Sequence, residues 1–195
     1  MMKYYQEISL LPQEEVNVHF LWSKVFQQIH LGLVEMQDDQ KRAPIGVSFP
    51  EYIIGEKYSV LGGKLRLFAQ DESTLNRFDA TKWLIRMSDY VHCTGIRSVP
   101  EKIKGYAIFQ REQPKTNKER LARRYASRHN VDYDAALLRY NGMEHKLIPT
   151  PFIRLKSLSS DNTFCLWIKK KTVTESSDNT FSSYGLSTSA SVPEF

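Results

Sequence analysis

Cysteine is nearly missing: a chain of 195 residues holds two, Cys93 and Cys165. They stand far apart in strand-like surroundings, so buried free thiols are expected rather than a disulfide framework or a thiolate metal site. The five histidines form no H-x-x-x-H pair and no C-x-x-C is present. The common spacings of a zinc site are therefore missing, and the expected chemistry uses no metal and no cofactor. No apolar run reaches about eighteen residues, the length of a membrane span. No basic segment leads into an apolar one at the N-terminus, so a signal peptide is not expected either, and the expected compartment is the cytoplasm. No internal repeat is visible.

The composition is that of an ordinary globular chain, 41% hydrophobic and 25% charged, enough for one large domain or two small ones. What it lacks in one place is acid. Arg111 to His129, REQPKTNKERLARRYASRH, carries Arg111, Lys115, Lys118, Arg120, Arg123, Arg124 and Arg128 against Glu112 and Glu119. The whole chain has 27 basic and 22 acidic residues, so its entire surplus sits in this stretch and the rest is neutral. Asn117 is a helix N-cap candidate and Asn130 a stop signal. On the helix between them Arg120, Arg124 and Arg128 recur every four residues on one face, with Arg123 alongside. A solvated surface helix usually interleaves acids with bases, yet no acid follows Glu119 until Asp132. Arginine forks suit phosphates and base edges, which points to nucleic acid as the partner.

The remaining elements are read from periodicity. KYYQEISLL, residues 3–11, alternates as a strand up to Pro12. Residues 14 to about 36 form a helix with the stripe Val18, Leu21, Val25, Ile29 and Leu33. IGVSFP (45–50) and KLRLFA (64–69) read as strands on either side of Gly62-Gly63. Asp71 caps a helix running over residues 72–90, and VHCTGIRSV (91–99) is a closing strand before Pro100. The order is βαββαβ, the ferredoxin-like pattern, over residues 1–100. Residues 101–195 form a second α+β domain. It holds a strand over 103–110, a linker over 111–116, the arginine helix, a short helix over 132–140, and a hairpin of PFIRLKSLS and TFCLWIKKK turning at Ser160-Asp161-Asn162. The Ser- and Thr-rich tail from Thr172 contains FSSYGLS, whose Phe181, Tyr184 and Leu186 are expected to pack back on the body. The class is α+β.

His30 lies beside Ile29 at the edge of the apolar stripe. A lone histidine there is most often a satisfied core-edge residue. RNA, however, brings its own nucleophile, the 2′-hydroxyl, so a metal-free ribonuclease needs a base for that proton and contacts that hold the attack in line. Ser157, Ser159 and Ser160 cluster at the hairpin, where serine also favours turns.

FQQIHLGL, IGVSFP, a Q-x-K-x-N-x-E-R-L run leading into a helix that ends in RH, PFIRLKS, TFCLWI and YGLS occur in one order along the chain. In these six pieces the sequence resembles the type I-F CRISPR repeat-processing endoribonucleases. The resemblance implies a ferredoxin-like domain and a second domain that presents an arginine helix to the major groove of a CRISPR RNA hairpin. It implies cleavage at the base of the stem and membership of the type I-F surveillance complex with its other subunits. Carried across, His30 matches the catalytic histidine, Ser157 the serine that positions the 2′-hydroxyl, and Tyr184 the tyrosine that orients the site, with Ser159 as a second hydroxyl. Arg111 and Gln113 match the pair that reads bases at the stem foot. Lys115 and Asn117 belong to the same RNA-binding run, Phe164 matches the aromatic stacked on the last base pair, and Arg120, Arg123, Arg124, Arg128 and His129 match the groove-binding helix. Two departures stand out: Ala122, Tyr125, Ala126 and Ser127 dilute the arginines, and residues 35–43 are longer than the family needs. The same helix also allows a hairpin-binding subunit that does not cut.

Overall fold

The structure is a computed structural model that describes residues 1–11, 13–114, 118–143, 148–157 and 160–195. It is a mixed α+β chain with two antiparallel sheets. The first sheet contains β1 (Tyr4–Leu10), β2 (Gly46–Ser48), β3 (Lys64–Ala69), β4 (Val91–Cys93) and β5 (Arg97–Ser98). Its order is β2-β3-β1-β4, with β5 also pairing β1. Helix α1 (Val18–Glu35) joins β1 to β2, while α2 (Glu72–Phe78) and α3 (Ala80–Trp83) join β3 to β4. The order of elements is thus β, α, β, β, α, β.

Helix α1 begins later than its periodicity suggests. Residues 14–16 form a turn, and Asn17 caps the helix by accepting a hydrogen bond from the His19 amide at 2.8 Å. Four stripe residues, Leu21, Val25, Ile29 and Leu33, are fully buried with Trp22 and Phe26; Val18 is half-buried at the frayed start. Each such side chain contributes about 1.5–3 kcal/mol on removal from water. The helix expected over 72–90 is broken at Asp79, whose φ of 48° is left-handed. Asp79 ends α2, and its own carboxylate accepts from the Lys82 amide at 3.2 Å to start α3. A 3-10 turn, Ile85–Met87, completes the segment. The expected strand 91–99 is likewise split into β4 and β5, both against β1.

The second sheet runs β7-β8-β6-β9, from β6 (Gly105–Glu112), β7 (Phe152–Lys156), β8 (Thr163–Val173) and β9 (Val192–Glu194). Strand β6 extends two residues past its expected end, so Arg111 and Glu112 are ladder residues paired with Ile168 and Trp167, and not linker. The hairpin β7–β8 is present. The tail packs back as expected: Phe181 and Leu186 are buried, the Phe181 amide and carbonyl both bond Ala43, and β9 adds a strand that periodicity does not reveal.

Two compact units result: residues 1–112 with 150–195, and residues 113–149. In the first, one apolar cluster draws on both sheets. Phe49 is its pivot, with ring centroids 6.1 Å from Phe26 and 5.6 Å from Phe109. The second unit holds α4 (Lys118–His129) and α5 (Tyr133–Leu138). Asp132 caps α5, and Asn130, at φ 51°, stops α4. No described helix is long and apolar enough to cross a membrane.

Candidate active site

The second half of α1 carries Gln27 and His30 at the border of the core. The His30 Nδ1 lies 2.8 Å from the Ser183 carbonyl oxygen. A carbonyl can only accept, so Nδ1 carries the proton, and in the neutral ring the lone pair is on Nε2. Tyr184 stacks on the imidazole with centroids 4.2 Å apart and planes 9° from parallel. The ring is therefore held by one hydrogen bond and one face. Burial pushes the His30 pKa below its usual 6.5; the Ser183 hydrogen bond, which favours the charged ring, opposes part of that shift. The result is a neutral imidazole near pH 7 with Nε2 available as a base.

Tyr184 and Ser183 reach the site because the tail turns sharply. Gly185 has φ +67°, and a Cβ there would sit 2.4 Å from Val47 Cγ1; glycine is required both for the backbone and for the space. The Gly185 carbonyl accepts from the Val47 amide at 3.0 Å, fastening the turn to β2. Tyr184 also meets Phe164 edge-on, with centroids 6.5 Å apart. The Arg111 guanidinium lies over both rings, 5.4 Å from Phe164 and 5.9 Å from Tyr184. Burial pushes the Tyr184 hydroxyl above its usual 10.0, with the Arg111 charge opposing. Ser157 stands at the end of β7, its amide donating to Asn162 at 2.8 Å and its hydroxyl accepting from Ser160 at 2.9 Å. The residue before it, Lys156, donates its amide to Gln27 Oε1 at 3.2 Å, which ties the hairpin to the turn of α1 just before His30.

His30, Tyr184, Phe164 and Arg111 thus form one contiguous group, with Ser157 tied in through Lys156 and Gln27. Gln113 is exposed. Lys115, Asn117 and Ser159 lie outside the described residues. On α4, Arg120, Arg123, Arg124, Arg128 and His129 are all exposed, and Ala122 is the buried residue of that helix. Tyr125 anchors α4 to the segment around α5, its ring 6.4 Å from Tyr140 with Arg139 4.9 Å over it, and it packs on His129 one turn along its own helix at 4.2 Å. Among the described residues no group of three or more His, Cys, Asp or Glu side chains is placed to hold a metal ion.

Sequence reasoning misses two members of the site. Gln27 precedes His30 by three positions, so helical spacing puts it on the same face; its Nε2 is buried with no hydrogen-bond partner among the described residues. The Ser183 carbonyl is a backbone group and leaves no trace in residue type.

Residues 5–195 match the family described as CRISPR-associated protein (Cas_Csy4). Two relatives, each named CRISPR-associated endonuclease Cas6/Csy4, align over the full length of both chains. The one from Escherichia coli (strain UTI89 / UPEC) is 33% identical and the one from Pseudomonas aeruginosa (strain UCBPP-PA14) 32% identical. A solved structure described as a RAMP protein binding different RNA substrates overlaps 98% of this chain and 100% of its own, at 11% identity and a TM-score of 0.40. That last likeness is too distant to carry an argument; the full-length matches do, and by them this chain belongs to the CRISPR-associated Cas_Csy4 family.

Proposed function

We propose that this chain is an endoribonuclease that cuts CRISPR precursor RNA at the base of the repeat hairpin, without a metal, and keeps the hairpin it has cut. The observation that carries the reading is the His30 ring, its Nδ1–H held by the Ser183 carbonyl and its face covered by Tyr184. Such a ring offers Nε2 to one proton in one direction. His30 takes the proton of the 2′-hydroxyl, the 2′-oxygen bonds to the adjacent phosphorus, and the bond to the next nucleotide's 5′-oxygen breaks. The products are a 2′,3′-cyclic phosphate and, after protonation of the leaving oxygen, a 5′-hydroxyl. The nucleophile comes from the substrate, so the protein's task is orientation and proton removal.

Ser157 positions the ribose, Ser159 serves as a second hydroxyl, and Tyr184 orients His30. Phe164 stacks on the last base pair of the stem while Arg111, Gln113, Lys115 and Asn117 contact its foot. Arg120, Arg123, Arg124, Arg128 and His129 enter the groove of the hairpin. The ferredoxin-like region, residues 1–100, supplies the base, and residues 101–195 supply most of the RNA contacts. This is a division of roles. The order β2-β3-β1-β4 with helices after β1 and β3 supports the ferredoxin-like assignment. The retained hairpin links the chain to the other subunits of the type I-F surveillance complex.

The test is incubation of the protein with its own repeat RNA in EDTA. Cleavage is expected, with a cyclic phosphate at the new 3′ end. A single deoxyribose before the scissile phosphate should abolish cutting and leave binding intact. Intact repeat RNA bound by the wild type would instead favour a hairpin-binding subunit that does not cut.

A further inference from the structure

Side chains directly opposite each other in an antiparallel ladder share a face, so the register of the second sheet sorts its residues into two sets. Ile153, Leu155, Leu166, Ile168 and Arg111 belong to the face that carries the core and the candidate active site. The opposite face contains Phe152, Trp167 and Glu112 in one row, then Arg154 with Cys165, Gln110 with Lys169, and Ile108 with Lys171. Phe152 and Trp167 are half-buried, with ring centroids 4.6 Å apart. Arg154, Lys169 and Lys171 are exposed. Lys169 is 3.9 Å from Glu112; Arg154 and Lys171 have no carboxylate partner among the described residues. Alternate residues of a strand are about 7 Å apart. The face therefore presents a row of cations with an aromatic pair in its middle and a carboxylate, Glu112, which Lys169 faces.

A sheet face that simply meets water has no need to place a part-exposed tryptophan among exposed cations. Aromatic rings flanked by cations along a strand are what an unpaired nucleic-acid strand needs: π-faces for the bases and positive charge for the phosphates. We propose that this face binds single-stranded RNA, namely the unpaired segment adjoining the repeat hairpin on one side. This rests on the proposed function for the identity of the RNA. The route between the two faces runs around the hairpin end of β7 and β8. There Lys156 and Thr163 lie on the cation-bearing face, while Phe164 points to the other. The segment would leave the stem foot at Phe164 and pass the hairpin tip to reach Arg154 and Trp167.

The experiment measures affinity of the full chain for three deoxy-blocked RNAs: the hairpin alone, the hairpin with a 5′ single-stranded extension, and the hairpin with a 3′ extension. One extended form should bind at least roughly fivefold tighter than the bare hairpin, the lower end of one base stacked on an aromatic ring. The double variant Arg154→Ala/Lys171→Ala should lose most of that gain. It should also flatten the salt dependence of the extended form by about 1.4 log–log units, for two phosphate contacts to a single strand. Its affinity and cleavage rate for the bare hairpin should equal the wild type's. As an independent readout, the same extended RNA should shield the Cys165 thiol from alkylation more than the bare hairpin does, with Cys93 as the internal reference. Equal affinities for all three RNAs would overturn the proposal, as would a gain that survives the double substitution. The two readings fail separately: if the hairpin is not bound at all, the proposed function falls. The face is then judged on oligouridine, which the wild type should bind and the double variant should not; absence of that difference would leave an acidic protein partner as the reading of this face.

Discussion

The Ser183 contact occupies His30 Nδ1 and leaves Nε2 for the proposed role as base, and substitutions around the ring should separate chemistry from binding. His30→Ala should lower the single-turnover cleavage rate by about 10²–10⁴, the range for a positioned general base, with hairpin affinity nearly unchanged. A variant that cuts at the wild-type rate would require a different base. The pH profile carries the sign of the burial effect. A base must be neutral to act, and burial lowers the folded-state pKa, so kcat/KM should rise with pH and reach half its plateau below 6.5. Tyr184→Ala removes the ring that covers one face of the imidazole. Rewetting should move that half-point upward toward 6.5, while Tyr184→Phe, which keeps the stack, should leave it in place. An unchanged half-point in both variants would mean that Tyr184 does not set the environment of His30. Phe164→Ala should cost about 1–3 kcal/mol of hairpin binding if a base stacks there. Its thermal melt separates this from a loss of core packing, since Phe164 also touches the buried cluster.

At the scale of elements, periodicity makes some of the structure readable and hides the rest. The stripe of α1 and the alternation of β1, β3 and β8 are legible because one face of each is buried and the other is not. The break at Asp79 is not, because F-D-A-T continues a helical pattern. Only the left-handed φ at Asp79 and its second role as a cap end one helix and begin another. The charge after the apolar run makes Arg111 look like linker in the sequence, yet the ladder with β8 continues through Glu112. This matters for the site: a ladder residue holds its guanidinium over Phe164 and Tyr184 better than a flexible linker residue could. His30, Ser157, Tyr184 and Phe164 are legible as residue types, but Gln27 and the Ser183 carbonyl are not, since their contacts bridge elements distant in sequence. The turn that delivers Tyr184 should be intolerant: Gly185→Ala meets both a positive φ and Val47. It should destabilise the fold by roughly 1–3 kcal/mol for the strained backbone alone, read as a lower melting temperature together with slower cleavage. On α4, Arg124→Ala should reduce the log–log salt slope of hairpin binding by about one unit if it contacts a phosphate. Equal slopes would remove Arg124 from the interface.

At the scale of the molecule, stability should be uneven. Both sheets contribute to one apolar cluster, whereas α4 and α5 each bury a single alanine, Ala122 and Ala136. Hydrogen exchange of the free protein should therefore release the amides of α4 and α5 well before those of β6, β8 and the middle of α1. Hairpin RNA should slow the helices most; uniform exchange would mean that residues 113–149 are as firmly built as the sheets. The contact between His30 and Ser183 has a further consequence in time. Its two members are 153 positions apart, so a ribosome makes the histidine early and its acceptor late. Until residues 183 to 185 emerge, the imidazole has neither its carbonyl nor its covering ring, and the nascent chain carries a histidine without a nuclease. Deleting residues 183–195 should return the mature protein to that state, read as loss of cleavage.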